Sequence, residues 1–581
     1  MKLLRFSPKV CLLVQAAFLY SWLTVLSPLA GTDTYYSVYL LCGIAALSCL
    51  YDNYKTGRKC NGKEKGVLSI LSALFSTAVA LANYALFEPL TVIQNLFDFG
   101  CCLMGGFFAG YAVLLYLLKR LPFSSGNRKK GKPWKVFFFV FLSVAAIDLL
   151  YLRFAQYPGI LTVDSLTTMR ELLGLEPYSN IMPFWHTLTI KVFVDLGMGL
   201  FGDINSAIAC FHAAQILFMA SCFGYVIMTM YQSKVPTWFL WAVYMVYAFQ
   251  PHNIVYSVTL WKDVPFAGAS LLMITAFYRL LKELGNARWN YTVFTLGALG
   301  FSLWRTNGWY AFLVLVLVMW LLKGGEYRKE RVLMTVLLAA GWILLNPVLE
   351  LLNVVETNFV EAFAVPMQQI ARIVSEGKPL TESENALLGQ IFWMDQLGAA
   401  YNPQTVDPVK FETFRYDQVD YIRENLGAYL KLYLSLGLRY PGEYLKAWIE
   451  ETKGYWNGGY HFWIYTLETT ENALGIQLMS GTNVIARLFA AAFRYLEKPE
   501  ILQPLTSIGL HVWALLGCFA VNLLRKRKEV LLTLPLLILV AGLWLGSPVY
   551  AEFRYAYPVF LCMPLILAVT VFEEPCLEER F

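Results

Sequence analysis

Long apolar runs alternate with short polar segments along the chain from Val10 to Val571. About fourteen of these runs approach the roughly 20 residues that a helix needs to cross a bilayer. The runs are 10–29, 36–52, 67–87, 97–118, 134–152, 206–230, 236–251, 260–281, 289–303, 308–322, 332–351, 505–523, 530–546 and 554–572. Because a backbone in lipid must satisfy its hydrogen bonds internally, the pattern predicts an all-α polytopic membrane protein with about 14 transmembrane helices.

A further apolar segment, 186–202, carries Lys191 and Asp195 four residues apart, which places both on one helix face. Short loops rich in Lys and Arg stay in the cytoplasm. If this segment crossed the membrane, the basic stretches 323–331 and 525–528 would fall outside. We therefore predict an interfacial helix on the outer face, with both termini cytoplasmic.

The order of the runs predicts four parts. They are a four-span N-terminal accessory module (1–133), a membrane core (134–351), a helical extracytoplasmic domain (352–504) and a three-span C-terminal part of the core (505–581). The 352–504 insertion holds 12 Lys and Arg against 18 Asp and Glu, so an acidic outer part offsets a basic membrane part. Aromatic residues crowd its last third, which indicates either interfacial anchors or a lid above a membrane site.

Composition supports a multi-pass membrane protein, which we expect in the plasma membrane. Hydrophobic residues make up 58% of the chain and charged residues 15%, whereas soluble proteins average about 25% charged residues. A secreted enzyme, a nucleic-acid-binding protein and a disulfide scaffold are therefore excluded. No zinc-protease, nucleotide-binding or serine-hydrolase motif occurs.

One acidic residue, Asp164, follows a Pro-Gly turn on the predicted outer face and precedes a helical pattern. It could cap that helix, since Asp is a favoured N-cap residue. It could also serve as a general base for a hydroxyl group. The residues alone leave both interpretations open.

Three cations lie at the predicted outer ends of spans, against the positive-inside trend: Lys262, Arg305 and Arg554. An anionic ligand such as phosphate would explain them, because guanidinium groups bind phosphate bidentately. Asp263 is explained by the positive end of its helix. His186 is more simply a hydrogen-bonded structural residue than a metal ligand.

At this point two segments resemble a known superfamily. The stretch PFWHTLTIKVFVDLGMGLFGDINSAIA (183–209) and the late FRYAYP (553–558) resemble the GT-C membrane glycosyltransferases, which use polyprenyl-phosphate-linked sugars. More narrowly, YPGILTVDS, LWKDVPFA, WRTNGW and EFRYAYP look like an uncharacterised family of bacterial GT-C-like membrane proteins. GT-C relatives usually carry a second acidic residue close to the first-loop Asp, and here Ser165 follows Asp164 instead.

The resemblance implies a fold, a reaction and roles. The GT-C-like protein would transfer a sugar from a polyprenyl-phosphate donor to a hydroxyl of a cell-envelope glycan, lipid or protein, with inversion. Asp164 would be the catalytic base, and the three cations would bind the donor phosphate. Supporting roles would fall to other residues of the same stretches, Asp263, His186, Asn307 and Tyr555. Some GT-C enzymes use a divalent metal and others do not, so a cofactor is left open.

Two alternatives remain beside the enzyme. The same cations could bind a lipid phosphate in a flippase or transporter of lipid-linked glycans. Transporters commonly place such groups near the midplane on broken helices, whereas these residues gather at one predicted face. A non-catalytic membrane scaffold would tolerate replacement of Asp164, Lys262 and Arg554.

Overall fold

The computed structural model describes residues 7–30, 35–87, 91–120, 131–322, 327–356, 361, 363–460, 462–479, 483–497 and 500–573. Within these ranges the chain forms 25 α-helices and no β-strand. This confirms the all-helical prediction.

The N-terminal module consists of four helices around a small apolar core that includes Trp22 and Tyr39. They are α1 (Pro8–Leu26), α2 (Tyr36–Thr56), α3 (Gly62–Ala82) and α4 (Val92–Arg120). The Asn61 side chain accepts a hydrogen bond from the Glu64 backbone N–H, and the Glu64 carboxylate accepts one from the Asn61 N–H. This reciprocal cap fixes the start of α3.

The first part of the core contains eleven helices. They are α5 (Pro133–Phe154), α6 (Val163–Leu172), α7 (Phe184–Phe201), α8 (Ile204–Gln232), α9 (Thr237–Phe249), α10 (Pro251–Ser257), α11 (Asp263–Leu281), α12 (Ala287–Leu303), α13 (Thr306–Leu321), α14 (Arg328–Leu345) and α15 (Pro347–Leu351). Two of them, α10 and α15, are short helices that begin with a proline, whose fixed φ suits the first helical turn.

The insertion and the C-terminal part supply the remaining helices. They are α16 (Ala364–Ser375), α17 (Glu382–Leu388), α18 (Met394–Ala400), α19 (Val419–Glu424), α20 (Leu426–Arg439), α21 (Pro441–Thr452), α22 (Val484–Glu497), α23 (Ile508–Leu524), α24 (Val530–Gly546) and α25 (Phe553–Phe572). Helices α16 to α20 bury a separate apolar core that includes Ala371, Leu397 and Leu436. The insertion is therefore helical, as predicted.

Eight described segments are long and apolar enough to cross a membrane. They are Pro8–Leu29, Gly62–Ala82, Val92–Lys119, Pro133–Phe154, Ile204–Gln232, Asp263–Leu281, Arg328–Leu351 and Phe553–Phe572. Four more apolar helices are shorter, namely α9, α13, α23 and α24. The chain is thus a multi-pass membrane protein. All fourteen predicted runs overlap helices, but six of those helices are too short or not apolar enough to be among the eight spanning segments.

Helices α11 and α25 pack against each other at the centre of the core, and most of their residues are buried. Asp263, at the start of α11, and Arg554, at the start of α25, line one cavity. We call the end of the bundle at which these two helices begin the site end. Helices this deeply packed hold their first residues in fixed positions.

Helix α7 corresponds to the predicted interfacial helix and is not among the eight segments of spanning length and composition. The Trp185 indole donates a hydrogen bond to the Leu344 carbonyl at the end of α14. Gly202 ends α7 with a φ of +75°, and α8 follows two residues later. Lys191 and Asp195 lie on one face of α7, as predicted, and form an i,i+4 ion pair with 3.0 Å between Nζ and Oδ2.

Candidate functional site

Helix α6 presents Asp164 in its first turn. The N-cap position belongs to Thr162, and the Ser165 hydroxyl accepts a hydrogen bond from the Thr162 backbone N–H. No described backbone N–H donates to the Asp164 carboxylate, which binds a side chain of α25 instead. The interpretation of Asp164 as a helix cap is therefore wrong.

The loop before α6 is joined to the loop before α11. The Ile160 N–H donates to the Val258 carbonyl, and the Leu260 N–H donates to the Ile160 carbonyl. The Ser165 hydroxyl donates to the Leu260 carbonyl at 2.8 Å. These bonds hold α6 beside the start of α11, so that Asp164 and Lys262 share one cavity.

Gly159 makes this approach possible. Its φ is +127°, and a Cβ at this position would lie 2.1 Å from the His212 ring. Only glycine adopts such a backbone conformation without strain. The sequence Pro-Gly before α6 therefore serves a close contact with α8 as well as a turn.

Arg554 lies between two carboxylates. Its Nη1 is 2.7 Å from Asp164 Oδ2, and its Nε is 3.1 Å from Glu552 Oε1. The guanidinium carbon also lies 5.0 Å from the centre of the Trp261 ring. Ion pairs with two acids and a cation–π contact fix the orientation of this arginine.

A second ion pair stands beside the first. Arg305 Nη1 lies 2.7 Å from Asp263 Oδ1, and the Asp263 side chain is fully buried. The Arg305 guanidinium carbon is 4.6 Å from the centre of the Tyr555 ring. The position of Asp263 is therefore explained by two interactions. One is with the positive end of its own helix, and the other is with Arg305 at the start of α13.

Lys262 differs from both arginines. Its ammonium group donates to the Ile181 carbonyl at 3.1 Å, and among the described residues it has no carboxylate within ion-pair distance. Burial lowers the pKa of Lys262, and the charges of Asp263 and Asp164 oppose that shift. Lys262 is partly buried, and a cation in such a position that is held mainly by a carbonyl is suited to bind an anion.

Charge also sets the protonation of Asp164. Its side chain is 39% exposed. Burial acts to raise the pKa of Asp164, but the charges of Arg554 and Lys262 outweigh burial and hold the pKa below its ordinary value. The carboxylate is therefore ionised at neutral pH and can accept a proton.

His186 lines the same cavity as Asp164, Thr168 and Lys262. Burial, followed by the charge of Lys262, lowers the pKa of His186 to about 3, so the imidazole is neutral. Its Nε2 is buried and has no hydrogen-bond partner in the described part of the chain. A neutral ring nitrogen of this kind can bind a substrate hydroxyl.

Glu552 is the residue of this cluster that the sequence analysis missed. It precedes α25, and its side chain is 5% exposed. Burial raises the pKa of Glu552 to about 7, although the charge of Arg554 opposes the shift. Glu552 and Asp164 thus contact the same arginine, and Glu552 lies just before the last helix.

The insertion reaches the site through its aromatic segment. Trp463 stacks on Trp261, with 5.8 Å between ring centres and 21° between planes. The Tyr256 hydroxyl donates to the Ile464 carbonyl, and the Thr470 N–H donates to the Leu161 carbonyl. Residues 462–479 thus lie across the loops that carry Asp164 and Lys262.

The cluster unites most of the predicted site residues. The cavity is lined by Asp164, His186, Lys262, Asp263 and Arg554 together with Thr168, Met182, Leu260 and Trp261. Arg305 and Tyr555 adjoin it through the Asp263 ion pair. Asn307 is exposed at the start of α13 and is not among the lining residues. In the described part of the chain, no three His, Cys, Asp or Glu residues are grouped to hold a metal ion.

Comparison with curated proteins and with solved structures finds no match. A family of unknown function matches residues 178–576, which include Lys262, Arg305 and Arg554 but begin after Asp164. This range covers more than half of the chain. The chain therefore belongs to the family of unknown function DUF6020.

Proposed function

We propose that the protein is a membrane glycosyltransferase that moves a sugar from a polyprenyl-phosphate donor to an acceptor hydroxyl outside the cytoplasm. The observation that carries the proposal is the contact of Asp164 with Arg554, beside a partly buried Lys262 that has no carboxylate within ion-pair distance among the described residues. A potential base and a potential phosphate ligand meet there at one end of the bundle. A general base must reach the proton that it removes, and a donor phosphate bound by Arg554 would bring the sugar close to Asp164.

The chemistry proposed is a single displacement. Asp164 takes the proton of the acceptor hydroxyl, and the hydroxyl oxygen forms a bond to the anomeric carbon of the sugar. The bond from that carbon to the phosphate oxygen breaks, and its electron pair leaves with polyprenyl phosphate. The anomeric centre is inverted.

The three cations supply the electrostatic part. Lys262 and Arg554 face the cavity and would bind the phosphate that gains charge as it leaves. Arg305 would contribute its charge from outside the cavity lining, where it contacts Asp263 and Tyr555. Without substrate, Arg554 is paired with Asp164. A donor phosphate that binds Arg554 in its place would free the Asp164 carboxylate to act as the base.

The proposed arrangement in the membrane follows the charges. We propose fourteen spans, an interfacial α7 and a basic cytoplasmic end that includes Arg525 and Lys528. In this arrangement the insertion and the site would lie outside the cytoplasm, on a plasma membrane. A reporter fused after Leu524 should be cytoplasmic and one inserted at Gly377 extracytoplasmic. The opposite pattern at either position would overturn the orientation.

The direct test of function is a comparison of cell-surface glycans. Cells carrying Asp164→Asn at normal protein level should lose the same glycan as cells that lack the protein. Asp195→Asn is the matched control, because Asp195 is an acid of the α7 ion pair outside the cavity and should leave the glycan intact. If deletion removes the glycan and Asp164→Asn does not, the result would contradict the enzyme proposal and favour a transporter or a scaffold.

A further inference from the structure

Helix α22 lies across the site end and joins the core to the N-terminal module. The Asn483 amide at its start donates to the carbonyl of Phe154, the last residue of α5, at 2.7 Å. Six residues past its end, the Gln503 side chain accepts a hydrogen bond from Ser37 in the first turn of α2.

Both anchoring points stand at the same end of the bundle. The Tyr35 N–H, just before α2, donates to the Gly459 carbonyl, and the neighbouring Gly458 carbonyl accepts from Ser507 at the start of α23. A helix of 14 residues is about 21 Å long. Because Asn483 before α22 and Gln503 after it are both held at this end, α22 runs across the end of the bundle.

Three different faces run along α22. Phe489 and Phe493 pack on Tyr151 of α5, with ring centres 4.9 and 5.5 Å apart. Val484, Leu488 and Tyr495 form a second stripe at helical spacing and are 61, 64 and 79% exposed. Arg487 and Arg494, seven residues apart, lie along the flank of that stripe and are exposed.

An apolar stripe exposed to this extent is unfavourable in water. Neither arginine forms an ion pair with a carboxylate of the described residues, which leaves both guanidinium groups open to an external anion. An apolar face with cations on its flank is the pattern of helices that lie in a lipid interface.

We propose that α22 is seated in the leaflet at the site end, with its apolar stripe among the acyl chains and Arg487 and Arg494 on the phosphates of anionic phospholipids. This proposal is independent of the proposed reaction. It makes α22 a membrane-embedded bridge between the N-terminal module and the core, and it places the lipid surface directly beside α5.

The depth of α22 can be measured with a fluorescent probe. A Leu488→Cys variant, prepared with the exposed Cys11 replaced by Ser, is labelled with an environment-sensitive dye and placed in nanodiscs with brominated acyl chains. The control carries the dye at Ser383→Cys, an exposed position of α17. Quenching at position 488 should exceed quenching at position 383 by about threefold, as expected for an interfacial helix.

The headgroup contact is tested with lipid charge. Phosphatidylglycerol added to phosphatidylcholine nanodiscs should increase quenching at position 488 by about 1.5-fold, and the double variant R487Q/R494Q should abolish the increase. The control K431Q removes an exposed charge of α20, and this variant should still show the increase in quenching. Equal quenching at positions 488 and 383 would overturn the membrane seat. An increase that survives R487Q/R494Q would overturn the phosphate contact.

Discussion

Arg554 and Asp164 are 390 residues apart in sequence, yet Nη1 of the arginine lies 2.7 Å from Oδ2 of the aspartate. The first loop of the core and its last helix thereby close one cluster of three cations and three acids. The cations are Lys262, Arg305 and Arg554, and the acids are Asp164, Asp263 and Glu552. With all acids ionised the cluster is electrically neutral, so an added phosphate makes it negative unless an acid is protonated.

The Asp263–Arg305 ion pair should stabilise the bundle. Because Asp263 is fully buried, Asp263→Asn leaves Arg305 without its counter-charge and should lower the free energy of unfolding by about 3 kcal/mol. Arg305→Gln leaves the fully buried Asp263 carboxylate unpaired and should cost at least as much as the aspartate change. The double variant should cost less than the sum of the two. Thermal unfolding in detergent measures each value.

The exposed pair on α7 gives the control for that cycle. Asp195→Asn removes a partner of Lys191 at the surface and should change the free energy of unfolding by less than about 1 kcal/mol. Additive effects at Asp263 and Arg305 would show that the two side chains are not coupled.

Glu552 should make stability depend on pH. Its pKa rises from 4.5 to about 7 on folding, so the folded state keeps a proton that the unfolded state has lost. Stability from this group is complete below about pH 4.5 and decreases as the pH rises toward 7. Asp164 acts in the opposite direction, but its lowered pKa confines its effect to pH values below 4.

The Glu552→Gln variant isolates that dependence. Its thermal midpoint should vary less between pH 4.5 and pH 7 than the midpoint of the parent, because the amide does not titrate. If the thermal midpoint of Glu552→Gln changed as much between pH 4.5 and pH 7 as that of the parent, Glu552 would not be the source of the pH dependence.

Gly159→Ala should disturb the site through the backbone. The added Cβ would meet His212 at 2.1 Å, and the φ of +127° is strained for alanine. A loss of about 2 kcal/mol in the free energy of unfolding is expected. Gly199→Ala in α7, where a Cβ has open space, should have no adverse effect. Equal behaviour of the two variants would contradict the close contact.

Sequence patterns were sufficient to predict the all-helical class and to identify the charged residues at the ends of the spans. Charges at the wrong end of apolar runs pointed to Lys262, Arg305 and Arg554, and these now surround one cavity or adjoin it. The topology argument uses only the parity of spans and the placement of basic loops, and the orientation that it gives stays a prediction.

Other features depend on packing that no local pattern shows. The capping interpretation of Asp164 failed because Thr162 occupies the cap position. Glu552 was overlooked because only the start of α25 turns its side chain toward Arg554.

The most direct test of the account is the binding of polyprenyl phosphate to purified protein in nanodiscs. Lys262→Gln removes a cation that faces the cavity and should weaken binding about tenfold, or 1.4 kcal/mol, while Lys191→Gln on α7 should have no effect. Asp164→Asn frees Arg554 from its ion pair and should bind the lipid phosphate as tightly as the parent or more tightly, with no sugar transfer. Unchanged binding by Lys262→Gln, or weaker binding by Asp164→Asn, would contradict the assignment of this cluster as a lipid-phosphate site.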